Sequence, residues 1–147
     1  ALALIRNHGN PKHEAVVLNS LGVTLTKLGR PDEARTVLED SLAISRRIGE
    51  RQLEAHALAG LGQIALSARD LSGAIARFEE SRLVRHAAGD QSGEGWMHLR
   101  LSTLRDMIGD HSSALEARRS ACLAADEAGD AALSEACRQA FDTAVQS

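Results

Sequence analysis

The residues of this 147-residue chain that could do chemistry are six histidines, two cysteines, one tryptophan and dispersed carboxylates. Their spacing limits what they can do. His8, His13, His56, His86, His98 and His111 fall on different segments, and no two have the spacing that sets metal ligands on one helix face. There is no glycine-rich phosphate loop with its lysine, no His-Glu-x-x-His pair and no Gly-x-Ser-x-Gly elbow. Asp110 and His111 are adjacent, but the aspartate reads better as a helix N-cap than as half of a catalytic couple. Cys122 and Cys137 are too few for a disulfide framework or a zinc site. They lie seven residues before and eight after Gly129, so an antiparallel hairpin would set them at similar height. The chemistry predicted is recognition rather than catalysis, with no cofactor and no metal.

Composition narrows the partner. Hydrophobic residues make up 44% and charged residues 25%, the balance of a folded globular chain. A net charge of -3 gives no basic stripe for nucleic acid, and Arg46–Arg47 and Arg118–Arg119 are only local pairs. No apolar run approaches the ~20 residues of a membrane span, and no secretory signal opens the chain, so a cytoplasmic setting is expected. Lysine is confined to Lys12 and Lys27 while arginine and alanine abound, a bias that points to a high-GC bacterial gene.

The elements that must position these residues are announced by a period. Gly9, Gly49, Gly89 and Gly129 stand forty residues apart, each followed by an acid or amide: Asn10, Glu50, Asp90 and Asp130. A fixed period of this size is the mark of stacked supersecondary units, none of which can bury its apolar face alone. Within each period the apolar residues follow helical spacing, as in Leu18, Leu21, Leu25, Leu28 and then Ala34, Val37, Leu38, Leu42. The glycines can close helices in the left-handed conformation. Asp70, Asp90, Asp110 and Asp130 can cap the helices that follow. The predicted helices are 11–28, 31–48, 51–68, 71–88, 91–108, 111–128 and 131–146. Residues 1–10 are expected to end a preceding helix, because ALALIRNHG aligns with the stretch before each later glycine. The chain is then expected to be a piece of something longer.

The segments LNSLGVTLTKLGRPDEA (18–34), LAGLGQIALSARDLSGA (58–74) and HLRLSTLRDMIGDHSSA (98–114) resemble the tetratricopeptide repeat. Leu18, Leu21, Gly22, Leu25, Ala34, Leu38 and Ser41 occupy the motif's places, as do Leu58, Leu61, Gly62, Ala65, Ala74, Phe78 and Ser81. The resemblance implies an all-α, right-handed α-solenoid of antiparallel helix pairs in one domain spanning residues 1–147. Repeats would cover 11–50, 51–90 and 91–130, with a capping helix at 131–147. Repeats this long are similar to those of the Pins/LGN polarity adaptors, the kinesin light chains and the sensor regions of bacterial transcriptional regulators. The bacterial setting is preferred. His98, Ser102, Arg105 and Arg118 depart from the pattern; they read as a polar cap in which Arg118 finds an acid such as Asp142, or as a docking face.

In such repeats the first helix lines a concave surface. The resemblance places Asn19, Val23, Thr26 and Lys27 there, then His56, Ala59, Gln63 and Leu66, then Trp96, Leu99, Arg100, Thr103 and Asp106, with Gln139 and Thr143 from the last helix. Trp96 either lines this surface, partly exposed, or packs inward over Gly93 and Gly95; the groove-lining reading is adopted. Trp and Arg are the residue types that most often anchor interfaces. The carboxylate clamp of peptide-binding members is matched only by Asn19 and Arg100, and the asparagine ladder of the Pins-like adaptors is missing. The expected function is recognition of a protein or peptide segment, without nucleic acid or membrane. Self-assembly, through an apolar start at Leu2, Leu4 and Ile5, is the alternative, as is sensing of a small ligand or peptide pheromone in a closed pocket around Trp96.

Overall fold

The computed structural model describes residues 9–146, so the expectations for the first eight residues, including Leu2, Leu4 and Ile5, lie outside them. Among the described residues every regular element is an α-helix: α1 (Pro11–Lys27), α2 (Pro31–Ile48), α3 (Arg51–Ser67), α4 (Leu71–Ala87), α5 (Gln91–Met107), α6 (His111–Ala128) and α7 (Ala131–Gln146). The predicted boundaries hold to within a residue, because each helix is stopped by a particular side chain or backbone geometry. Asn10 accepts from the N–H groups of Lys12 and His13 at 3.1 and 3.3 Å. Asp70, Asp90, Asp110 and Asp130 each accept from the N–H three residues on, at 2.9 to 3.2 Å. Arg30 caps nothing with its side chain, and Pro31 opens α2 with a residue that has no N–H to satisfy.

The chain divides into two compact units, residues up to Val84 and residues from Arg85 onward. In the first, α1 packs on α2 and α3, and α2 packs on α3. Contacts at matched heights show that the hairpins run antiparallel. Ser41 Oγ donates to Ala15 O at 2.9 Å, and forty residues later Ser81 Oγ donates to Ala55 O at 2.9 Å. Both serines are fully buried, so each bond satisfies a hydroxyl that would otherwise be costly to bury. Nearer the turn, a Cβ on Gly22 would lie 2.5 Å from Leu38, and one on Gly62 would lie 3.0 Å from Phe78. The room left by these glycines is filled by Leu38 and Phe78 rather than by Ala34 and Ala74, which are buried one turn earlier on α2 and α4. Leu18, Leu38, Leu58 and Ile64 form the centre of this unit's core.

The second unit repeats the pattern with different side chains: α5 packs on α6 and α7, and α6 packs on α7. At the height of the serine bonds it has Gly95 opposite Ala121, and a Cβ on Gly95 would fall 2.5 Å from Leu133 of α7. Ala121, Ala125, Leu133 and Cys137 make the local core, with Leu99 and Cys122 against it.

The turns inside the hairpins show one irregularity. Gly29 and Gly109 take φ of 72° and 84°, and Arg69 occupies the matching place with φ 61°, the one non-glycine residue of positive φ among those described. A Cβ in this left-handed region costs roughly 1–2 kcal/mol, part of which glycine returns as greater freedom in the unfolded chain. Arg69→Gly should therefore stabilise the protein by about 0.5–1 kcal/mol and raise Tm by about 2–4 °C, measured by thermal circular dichroism.

Candidate functional site

An open groove of about 960 Å³ lies inside the second unit, between α5, α6 and α7. Its opening follows from α7. Leu133 and Cys137 bury the first half of that helix, and no described residue after Cys137 is buried. The positions that would continue the contact are Ala136, Ala140 and Ala144, whose side chains are too small to fill the gap. Leu99, Thr103 and Met107 form the α5 wall, and His111, Leu115 and Arg118 form the α6 wall. Gln139 and Thr143 face them from α7. The groove lining thus mixes apolar side chains with hydroxyls, one side-chain amide and one carboxylate.

Asp106 supplies that carboxylate. It pairs with the Arg118 guanidinium and lies 2.8 Å from His111 Nδ1. Arg118 is only 7% exposed and stands where the preceding hairpins carry Leu38 and Phe78, while Asp106 stands where they carry Thr26 and Leu66. The third hairpin therefore carries an ion pair where the preceding two have no charged residue. The partner expected for Arg118 was Asp142, and this is corrected: Asp142 lies on the other side of α7, in the concavity that holds Cys122 and Cys137.

Of the residues expected to meet a partner, the structure brings Leu99 and Thr103 into this groove together with Asp106, Gln139 and Thr143. Trp96 and Arg100 are exposed on α5 but outside the lining, Trp96 at 38%. Trp96 lies beside Asp130, the residue before α7, whose carboxylate accepts from the Leu133 N–H at 2.9 Å. That bond, then the Ser92 hydroxyl, with the Trp96 indole adding to them, holds the Asp130 carboxyl below its ordinary range. In the first unit Val23, Lys27 and His56 are exposed, and Gln63 and Leu66 are half-buried. Asn19 is 9% exposed, and its amide donates to Leu53 O at 3.2 Å, tying α1 to α3. The residues that sequence reasoning missed are Met107, His111, Leu115 and the alanines of α7. The i, i+4 spacing of Ala136, Ala140 and Ala144 was the one available signal.

A smaller concavity of about 350 Å³ holds His86, Glu94 and His98, with His86 Nδ1 3.1 Å from a Glu94 oxygen. Among the described residues no group of three or more His, Cys, Asp or Glu side chains could hold a metal ion. No helix of the described residues is long and apolar enough to cross a membrane.

Residues 13–82 match the tetratricopeptide repeat family. None of the curated proteins is similar enough in sequence to count as a relative. Among solved structures, aspartyl phosphate phosphatase F from Bacillus subtilis matches 97% of the chain with a TM-score of 0.83 and 14% identity. The chain spans only 42% of that protein's length. MamA matches 98% of the chain with a TM-score of 0.61 and 18% identity, and 81% of MamA is covered. At such identities the likeness establishes the fold, which is of the all-α helical-repeat, or α-solenoid, class.

Two outcomes follow from the geometry. Asp106→Leu leaves Arg118 buried without its partner and should cost about 2 kcal/mol in urea unfolding, less than a fully buried pair because Asp106 is partly exposed. The double variant Asp106→Leu/Arg118→Leu should recover most of that loss, since it leaves no buried charge unpaired and puts apolar side chains in place of the pair. Asp130→Ala should lower Tm at neutral pH. A carboxylate whose folded pKa is depressed contributes stability above its unfolded pKa and loses it as pH falls through the folded value, so the gap to the parent should close in acid. The Trp96 emission, expected to be that of a partly exposed indole, should shift in the same variant.

Proposed function

We propose that the chain is a protein- or peptide-binding module and that a partner segment seats in the groove between α5, α6 and α7. The observation that carries this reading is the groove itself, whose lining combines the apolar Leu99, Met107 and Leu115 with the polar Thr103, Asp106, Gln139 and Thr143. An amphipathic helix or an extended peptide presents that combination of apolar anchors and polar edge. Tetratricopeptide repeats are in general a protein-interaction fold, which agrees with the match over residues 13–82. The groove is open to solvent along its length, which suits a segment better than an enclosed small molecule.

Trp96 and Arg100, exposed on the earlier turns of α5, extend the proposed surface, and their types are those that anchor interfaces. In the first unit Val23, Lys27, His56, Gln63 and Leu66 are proposed as partner-facing, with Asn19 positioning the helices that carry them. The wider setting, a bacterial regulatory or signalling protein acting in the cytoplasm, is proposed from the resemblance of the long repeats together with the arginine- and alanine-rich composition.

The test is a peptide selected from a displayed library against the whole chain, with affinity measured by calorimetry. Ala140→Trp fills the groove and should weaken binding about tenfold or more, as should Trp96→Ala with Arg100→Ala. Leu123→Ala, outside the groove, should leave affinity unchanged. Peptide affinity indifferent to Ala140→Trp would sink the groove as the binding surface. A chain that binds no peptide but sediments as a concentration-dependent dimer would move the function to self-assembly.

A further inference from the structure

The cysteines are the strongest chemistry that the groove does not use. Cys122 of α6 and Cys137 of α7 are both free thiols. They pack in one cluster with Ala121, Ala125 and Leu133, and both line a concavity of about 290 Å³ rimmed by Asp126, Arg138 and Phe141. Ala121 and Ala125 are fully buried beside them, so small side chains stand where the two helices meet. The thiols differ in access. Cys122 is half-buried at the concavity, whereas Cys137 is 2% exposed.

We propose that this pair is a reaction site for low-molecular-weight disulfides, with Cys122 the attacking and Cys137 the resolving thiol, and that the product disulfide fastens α7 to α6. The Cys122 thiol loses its proton and attacks one sulfur of the small disulfide. The small disulfide's S–S bond breaks, one thiolate leaves, and Cys122 is held in a mixed disulfide. Cys137 then loses its proton and attacks the Cys122 sulfur, the mixed disulfide breaks, and the second small thiolate leaves. The two protein thiols are oxidised by two electrons, and the small disulfide is reduced to two thiols that take up the two protons.

The order follows from the surroundings. Burial, then the hydrogen bond and charge of Cys122 itself, then Asp126, push the Cys137 thiol up to about 12, so it does not initiate attack at neutral pH. Capping Cys122 removes two of those causes. Cys137 then becomes easier to ionise at the moment it is held beside the mixed disulfide.

The probe is glutathione disulfide, applied to the folded chain in mildly alkaline buffer, followed by alkylation and peptide mass spectrometry. The wild type should lose both thiols and yield a Cys122–Cys137 linked peptide within one chain, with no glutathione retained. Cys137→Ser should trap a stable glutathione adduct on Cys122, and Cys122→Ser should react about tenfold or more slowly. A lasting adduct on the wild type, linkage between two chains, no reaction at all, or Cys122→Ser as fast as the wild type would each overturn the proposal. The wild-type peptide map decides the matter even if a variant fails to fold.

Discussion

The architecture depends on how closely the two helices of a hairpin can approach. Helices in contact sit about 8–10 Å apart, and the side chains at the contact set the value. Leu38 fills the space of the missing Cβ at Gly22, within 2.5 Å of it, and Phe78 crowds that of Gly62 at 3.0 Å, so an added methyl would force the facing side chain to shift. The buried bonds from Ser41 to Ala15 and from Ser81 to Ala55 act at the other end of the same interfaces. Each bond consumes the second lone pair of a helical carbonyl, so it fixes the register of one helix on the other without breaking a helical hydrogen bond.

The third hairpin keeps the spacing but changes what fills it. Ser102 replaces the glycine and donates to Leu99 O at 2.7 Å, within its own helix. Arg118 replaces the large apolar residue, and its guanidinium meets Asp106 near the surface. An arginine can cover apolar surface with its stem while its head stays with a carboxylate, which lets a polar lining exist beside a packed core. Gly95 and Ala121 take over the close approach, and Leu133 of α7 enters the space they leave. The packing of α7 is therefore concentrated near its first turns. Its later turns carry alanines, and the groove opens there.

The groove and the thiol pair occupy different faces of α7, with Gln139 and Thr143 on one and Cys137 and Asp142 on the other. One helix thus links a recognition surface to a reactive pair, and a crosslink from Cys137 to α6 would act on the element that forms one wall of the groove.

The chain by itself determined its helices and its turns. Those depend on local rules: the glycine that tolerates positive φ, the aspartate that meets an N–H three residues on, and the apolar spacing of a buried stripe. Each can be read within one turn of the chain. The forty-residue period added the pairing, because equal residues at equal offsets require equal neighbours. Leu99 and Thr103, set on a first helix by the same period, line the groove between α5, α6 and α7. The tertiary structure alone decided the partner of Arg118, the burial of Asn19 and the position of the groove. Arg118 could reach an acid on either side of its hairpin. Asn19 could face solvent or a neighbouring carbonyl, and Ala136, Ala140 and Ala144 could meet a close neighbour or a gap. Those outcomes depend on distances between helices far apart in sequence, and a distance of that kind exists only once the chain has packed.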